Sequence, residues 1–115
     1  MVADRLTDDD VDRVFQALAD ATRRDILTRA IAGDQSVSAL ARHYEMSFAA
    51  VQKHVAVLER AALVTKERRG REQIVHGDLS TVRKATALLN AYEQIWVQRA
   101  TQIADLLAAE KGRKK

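Results

Sequence analysis

The sequence predicts a mainly α-helical fold carrying one small β-hairpin, and three stretches make that prediction. Residues 38–60 read as a brief apolar segment, a turn and a longer amphipathic helix, the order of a helix-turn-helix. Residues 63–75 change to two β-prone runs on either side of a basic connection. Residues 81–110 contain no Gly or Pro and bring back apolar residues at helical spacing.

Composition sets the outer limits. A chain of 115 residues makes one domain, or one subunit of something larger, with a modest core. Cysteine is absent, which excludes disulfides, thiolate metal sites and a cysteine nucleophile. The opening residues M-V-A-D-R-L-T-D-D-D are acidic, hold no apolar run and do not read as a signal peptide. No stretch approaches the ~20 consecutive apolar residues of a membrane-spanning helix, so a soluble cytoplasmic protein is expected. The net charge of +3 and the pI of about 9.5 point only weakly to a nucleic-acid partner. The placement of charge says more. Residues 1–12 hold five Asp against one Arg, whereas residues 111–115 hold three Lys and one Arg with no acid. Lys66, Arg68, Arg69 and Arg71 gather between them, against Glu67 and Glu72.

Thr7-x-x-Asp10 has the form of a capping box, and Val11, Val14, Phe15 and Leu18 follow at i, i+3, i+4, i+7. That predicts a helix ending near Ala19. Asp20 can cap a second helix with Ile26, Leu27, Ala30 and Ile31 inward and Gly33 as its stop. Ser36-Val37 reads as a short extended link, and Ser38 as the cap of a brief helix through Leu40, Ala41 and Tyr44. Glu45-Met46 is the turn, and Ser47 caps the longer helix through Arg60.

Wheel geometry at roughly 100° per residue divides that longer helix into two faces. Phe48, Val51, Val55 and Leu58 fall together and are expected to be buried. Ala49, Gln52, Lys53, Ala56 and Arg60 fall on the other side. Small residues at 49 and 56 permit close approach to a groove, Gln52 can pair with adenine, and Lys53 can reach guanine or a phosphate. The capped N-terminus favours a nearby phosphate. The competing reading is an ordinary solvated helix face. The short helix before it and the basic hairpin after it favour a DNA reader.

Leu63-Val64-Thr65 and Gln73-Ile74-Val75 are the predicted strands, with Gly70 in the connection. Its basic residues Lys66, Arg68, Arg69 and Arg71 are candidates for phosphate or minor-groove contact, against the alternative of a charged turn that protects a sheet edge. From Val82 the last helix carries Ala85, Leu89, Tyr92, Trp96, Ala100, Ile103 and Leu107 in one row, widened by Leu88, Ile95 and Leu106. Thirty helical residues span about 45 Å, too long for so small a domain to cover alone. A second copy is the expected partner of that stripe, and the aromatics at 92 and 96 are assigned to a dimer core rather than a ligand pocket.

These segments resemble the ArsR family of winged-helix repressors over nearly the whole chain. V-F-Q-A-L-A-D-A-T-R-R-D-I-L (14–27), S-A-L-A-R-H-Y-E-M-S (38–47), A-V-Q-K-H-V-A-V-L-E-R-A-A-L-V (50–64) and R-R-G-R-E (68–72) carry the likeness. Y-E-Q-I-W-V-Q-R (92–99) resembles the subgroup with an aromatic-bearing C-terminal dimer helix. The resemblance implies a single winged helix-turn-helix domain over 1–115 with a dimerisation helix at 81–110. It implies a homodimer that represses transcription by occupying operator DNA. The helix 48–60 would read the major groove, with Ser47, Ala49, Gln52, Lys53 and Arg60 as its candidate contacts, and the wing would reach flanking DNA. His54 flanks the core face of that helix and is a candidate either for a phosphate contact or for a structural hydrogen bond. The first and last helices would build the dimer through Phe15, Leu88, Leu89, Tyr92, Ile95, Trp96 and Ile103.

There are departures. Ala21 stands where Pro is usual, Glu45 and Ala62 where Gly is common, and Phe48 where a polar residue makes the first groove contact. Val75 and Gly77 interrupt the usual wing end. Glu45 is expected to need an uncomfortable turn conformation. Metal-sensing relatives use a Cys pair before the reader or His and acidic residues on the last helix. Here Leu40-Ala41-Arg42-His43-Tyr44 offers no thiolate and the last helix has no His, so no metal or other cofactor is expected. His43 and His76 read as surface residues. No nucleophile–base spacing or Gly-rich phosphate loop suggests an enzyme. The alternative from another class is a protein-binding dimer that keeps the fold without DNA recognition, supported by Phe48 and Glu45. The operator and any small-molecule effector are not legible.

Overall fold

The computed structural model describes residues 6–113, so Lys114 and Lys115 of the basic tail and Asp4 and Arg5 of the acidic arm lie outside it. Its elements are α1 (Asp8–Leu18), α2 (Ala21–Ala32), β1 (Gln35–Ser36), α3 (Val37–Ala41), α4 (Phe48–Arg60), β2 (Val64–Arg69), β3 (Glu72–Gly77) and α5 (Leu79–Arg113). The chain forms two compact units, residues 1–85 and residues 86–115, the second consisting of the later part of α5. The fold is the expected mainly α arrangement with a small antiparallel sheet.

Each helix of the first unit begins where a short polar side chain can accept an otherwise unpaired N–H. Thr7 and Asp10 exchange reciprocal bonds of 3.1 Å in a full capping box, and the Thr7 amide holds the Asp10 carboxyl below its usual range. Asp20 accepts from Arg23 N at 3.0 Å, Ser47 from Ala50 N at 3.1 Å, and Asp78 from Ser80 N at 3.0 Å. The brief third helix departs from expectation. Ser36, not Ser38, caps it, accepting from Ala39 N at 3.0 Å. Ser36 ends β1 in an extended conformation, which is also the backbone an N-cap needs, so one residue closes the strand and opens the helix. Tyr44 accordingly lies beyond that helix, in the turn that leads to Ser47.

The extended link expected at Ser36-Val37 is a strand at Gln35–Ser36, and Val37 instead opens α3. The sheet order is β1-β3-β2, with Gln35 opposite Val75 and Ser36 opposite Ile74. The hairpin runs further than its β-prone runs suggest, from the pair Val64–Gly77 to the pair Arg69–Glu72. Only Gly70 and Arg71 remain as the loop. Gly70 takes φ 65° at the first of the two central positions, as a type II′ turn requires. The basic residues at 66, 68 and 69 therefore sit on strand β2 rather than on a flexible connection.

Val14, Ala17, Ile26, Leu40, Val51, Val55, Leu58, Leu63, Val64 and Val75 form the core of the first unit. Two residues expected inward are not. Ile31 is exposed: β3 passes it at Gly77, which has no side chain to cover it. A Cβ on Gly77 would lie 2.8 Å from Ile31 Cγ1 and 3.0 Å from its Cα, so this departure from the family pattern is what lets the strand approach. Phe48 is 46% exposed. Helical side chains lean toward the N-terminus, so the first residue of α4 projects past the helix start instead of onto its neighbours. Ala56, expected on the outer side, is half-buried.

The expected strain at Glu45 is absent. Among the described residues Ala62 is the one non-glycine with positive φ, at 59°. It ends α4 in a Schellman motif: Leu63 N donates to Leu58 O at 3.0 Å and Ala62 N to Glu59 O at 2.9 Å, with Leu58 and Leu63 both buried. The left-handed conformation costs an alanine about 1–2 kcal/mol. Replacing Ala62 with Gly should raise stability by about 0.5–1 kcal/mol, after allowing for the greater freedom of glycine in the unfolded chain. Urea unfolding measures this, and an Ala62→Gly chain less stable than the parent would contradict the assigned conformation.

Candidate nucleic-acid interface

The two faces of α4 separate as the wheel indicates, apart from the residues just named. Val51, Val55 and Leu58 are buried, while Ala49, Gln52, Lys53 and Arg60 are exposed together with the cap Ser47. The Gln52 side chain makes no hydrogen bond, and Lys53 and Arg60 make no ion pair, among the described residues. The Gln52 amide, two cations and a small residue thus lie on one outward face, and their side-chain hydrogen-bonding capacity is uncommitted.

Sequence patterns miss what fixes that face in place. Arg23 donates from Nε to Ala17 O at 2.8 Å and from Nη2 to Gln16 O at 2.9 Å, and Arg24 donates to Leu18 O at 2.7 Å. Helix α1 has no basic residue in its last turn, so these two arginines satisfy its terminal carbonyls from the next helix. Arg23 Nη1 also lies 3.4 Å from His54 Nδ1 on α4. A guanidinium only donates, so this contact gives Nδ1 the acceptor role. The carboxylate of Asp20 stands 3.9 Å from the same nitrogen, too far for a hydrogen bond. His54 is therefore turned toward α2 and engaged in the fold. The available signal was a pair of arginines just past the end of a helix that lacks its own basic last turn.

A second cluster steadies the turn before the reader. The Tyr44 hydroxyl donates to Asp25 Oδ2 at 2.6 Å, and Arg29 Nε donates to the same oxygen at 2.9 Å. These bonds hold the Asp25 carboxyl below its usual range, Tyr44 being the larger cause. Burial first, and the Asp25 carboxylate second, push the Tyr44 phenol up to about 12. His43, beside it, approaches Arg29 Nη1 at 3.4 Å.

The wing is less uniformly basic than its sequence. Lys66 Nζ is 3.3 Å from Glu59 Oε1 on α4, and Arg69 Nη2 is 2.9 Å from Glu67 Oε1. Period-two alternation puts 67 and 69 on one face of β2, so the second pair was legible once a strand was assumed. Arg68 Nε reaches Gly70 O at 3.4 Å, and neither Arg68 nor Arg71 makes an ion pair among the described residues. These two supply the uncompensated charge at the hairpin tip. His76 is not a bystander. Its Nδ1 is 2.8 Å from Asp34 Oδ1 and its Nε2 is 2.8 Å from Glu67 Oε1, so it bridges the segment before β1 to β2.

No protein-family model matches the chain. Over 99 residues it is 35% identical to the HTH-type transcriptional regulator Rv2034 of Mycobacterium tuberculosis, covering 86% of this chain and 90% of that one. Over 71 residues it is 31% identical to the transcriptional repressor SdpR of Bacillus subtilis, covering 62% and 77% respectively. The solved ArsR-like transcriptional regulator from Rhodococcus sp. RHA1 matches with a TM-score of 0.74 at 32% identity, over 84% of this chain and 92% of that one. The chain belongs to the ArsR family of transcriptional regulators. As a regulator of that family it is a binding protein and not an enzyme. Among the described residues no three His, Asp or Glu side chains group as metal ligands, and no helix is long and apolar enough to cross a membrane.

Two carboxylate oxygens facing both nitrogens of His76 favour its charged form. Asp34 first, and Glu67 second, raise it above its ordinary 6.5, while the His76 bond is the main cause that lowers Glu67 below 4.5. A group whose folded value is raised contributes stability that is complete below the unfolded value and disappears as pH rises through the folded one. Stability to urea should therefore decline as pH rises through a His76 NMR titration midpoint above 6.5. His76→Gln should remove that decline. A decline unchanged in the variant would contradict the bridge.

Proposed function

We propose that this ArsR-family chain is a cytoplasmic homodimeric repressor that occupies a promoter operator. In this reading α4 enters the major groove and the wing grips the flanking backbone. The observation that carries it is the exposed face of Ala49, Gln52, Lys53 and Arg60 on a helix whose opposite face is core. Gln52 has the paired donor and acceptor that adenine N7 and N6 require, and Lys53 suits guanine or phosphate. Arg68 and Arg71 supply sequence-independent affinity. Lys66 and Arg69 contribute less, because DNA must compete with Glu59 and Glu67 for them.

The dimer reading is supported by the apolar face of α5. Leu89, Tyr92, Ile95, Trp96 and Ile103 are exposed, with Trp96 at 67%; Leu88 is half-buried, and Phe15 on α1 is exposed as well. An apolar patch of this extent on one chain marks an interaction surface. The same stripe on a second copy is its complement, and two readers would then address half-sites roughly 34 Å apart. No metal enters this mechanism. One observation favours the alternative of a protein-binding dimer, the exposed phenyl of Phe48.

Binding to duplex from upstream of its own gene, across a salt series, separates the two readings. A DNA-reading dimer with roughly eight phosphate contacts should lose affinity with a log–log slope of about −7. The absence of any sequence preference there would favour the protein-binding alternative. The Gln52→Ala, Lys53→Ala double variant should weaken specific binding by about 2 kcal/mol per half-site while remaining dimeric. Unchanged operator affinity would dismiss the assigned face. Trp96→Ala should weaken the dimer by about 2 kcal/mol, roughly thirtyfold in Kd, by light scattering. An equally tight dimer would remove Trp96 from the interface.

A further inference from the structure

The reader helix carries one exposed group that neither the core nor the hydrogen-bonding face accounts for. Phe48 is the first residue of α4 and nearly half of it is in solvent, although its sequence spacing assigns it to the core. It stacks on no other ring among the described residues, whose one aromatic pair is His43–Tyr44. Gln52 is four positions further on, so the two lie about one turn apart and roughly 40° from each other around the helix axis. Its side chain leans toward the N-terminus, the end that a helix-turn-helix reader presents to base edges.

We propose that Phe48 is a specificity-determining residue that reads the 5-methyl group of a thymine in the operator. A phenyl ring has no donor or acceptor, so it gains nothing from the polar atoms of base edges. The thymine methyl is the one apolar group those edges display in the major groove, and aromatic or small apolar side chains are its complement. Gln52 beside it has the pairing for adenine. Together they select a thymine one or two base-pair steps from an adenine contacted by Gln52, since one helical turn of about 5.4 Å spans between one and two steps. A polar residue at this position would read a hydrogen bond; Phe48 reads a methyl group and leaves the N-terminal edge of the reader indifferent to donors and acceptors. The inference rests on the DNA-reading role of α4.

Deoxyuridine pairs like thymine but lacks the methyl group, which isolates the contact. The full chain would be footprinted on the DNA upstream of its own gene. Its affinity would then be measured by anisotropy on that operator with single thymines replaced by deoxyuridine. The parent chain should lose about fourfold in affinity per half-site at one thymine position, the effect of one buried methyl group. Phe48→Ala should bind the thymine and deoxyuridine duplexes equally, and Phe48→Leu should retain part of the discrimination. Because Phe48 is neither in the core cluster nor among the side chains packed against it, both variants keep the core intact. Equal binding of both duplexes by the parent chain would overturn the inference while leaving DNA recognition standing. Full discrimination in Phe48→Ala would overturn it in favour of the Ala49 methyl. Failure to bind any duplex would overturn the DNA-reading function, and this inference with it.

Discussion

The guanidinium of Arg23 is the contact on which the reading face depends. One side chain accepts no bonds and makes three approaches: to two carbonyls at the end of α1 and to His54 on α4. Ala17, whose carbonyl it satisfies, is fully buried, so loss of that bond would leave a polar atom without water to replace it. The backbone N–H of Arg23 is meanwhile fixed by Asp20, the cap of its own helix. Arg23, in the first turn of α2, therefore satisfies the end of α1 and also reaches α4. A reader that must meet base edges to within a fraction of an ångström needs that kind of support from behind.

The turn and the wing repeat this logic with other chemistry. Asp25 gathers Tyr44 and Arg29 on one oxygen, which holds the turn to α2 just before Ser47 starts the reader. Lys66 and Glu59 join the first strand of the wing to the last turn of α4. His76 and its two carboxylates close the far side of the same hairpin. Each pair is partly exposed and of modest value singly. Their shared effect is orientation. Charge used in this way is compensated within the fold, and the uncompensated charge of the wing is concentrated at Arg68 and Arg71, around the tight turn at Gly70.

Departures from the family pattern are accommodated differently at each site. Ala62 adopts the left-handed conformation that glycine would take more easily, because the Schellman bonds and the Leu58–Leu63 contact fix the path from α4 into β2. Glu45 needs no such conformation. Gly77 gives up the side chain that would cover Ile31 and gains the close passage of β3 over α2. Phe48 exchanges a polar group for an exposed ring at the front of the reader.

Local chemistry made much of this protein legible in the sequence. Thr7 with Asp10, Asp20 and Ser47 announce helix starts because capping involves only neighbouring residues. Apolar spacing of 3.6 and of 2 distinguishes α4 from the strands, and the order of these segments carries the family likeness. Tertiary structure decided what depends on partners distant in sequence. It chose Ser36 over Ser38 as a cap, because β1 exists only once Gln35 and Ser36 find β3. It engaged His54 with Arg23, turned His76 from an expected surface residue into a bridge, and paired Lys66 with Glu59 and Arg69 with Glu67. It also left Phe48 in solvent. A wheel records direction around an axis, while burial depends on whether the core stands in that direction, and at the first turn of α4 nearly half of Phe48 stays in solvent.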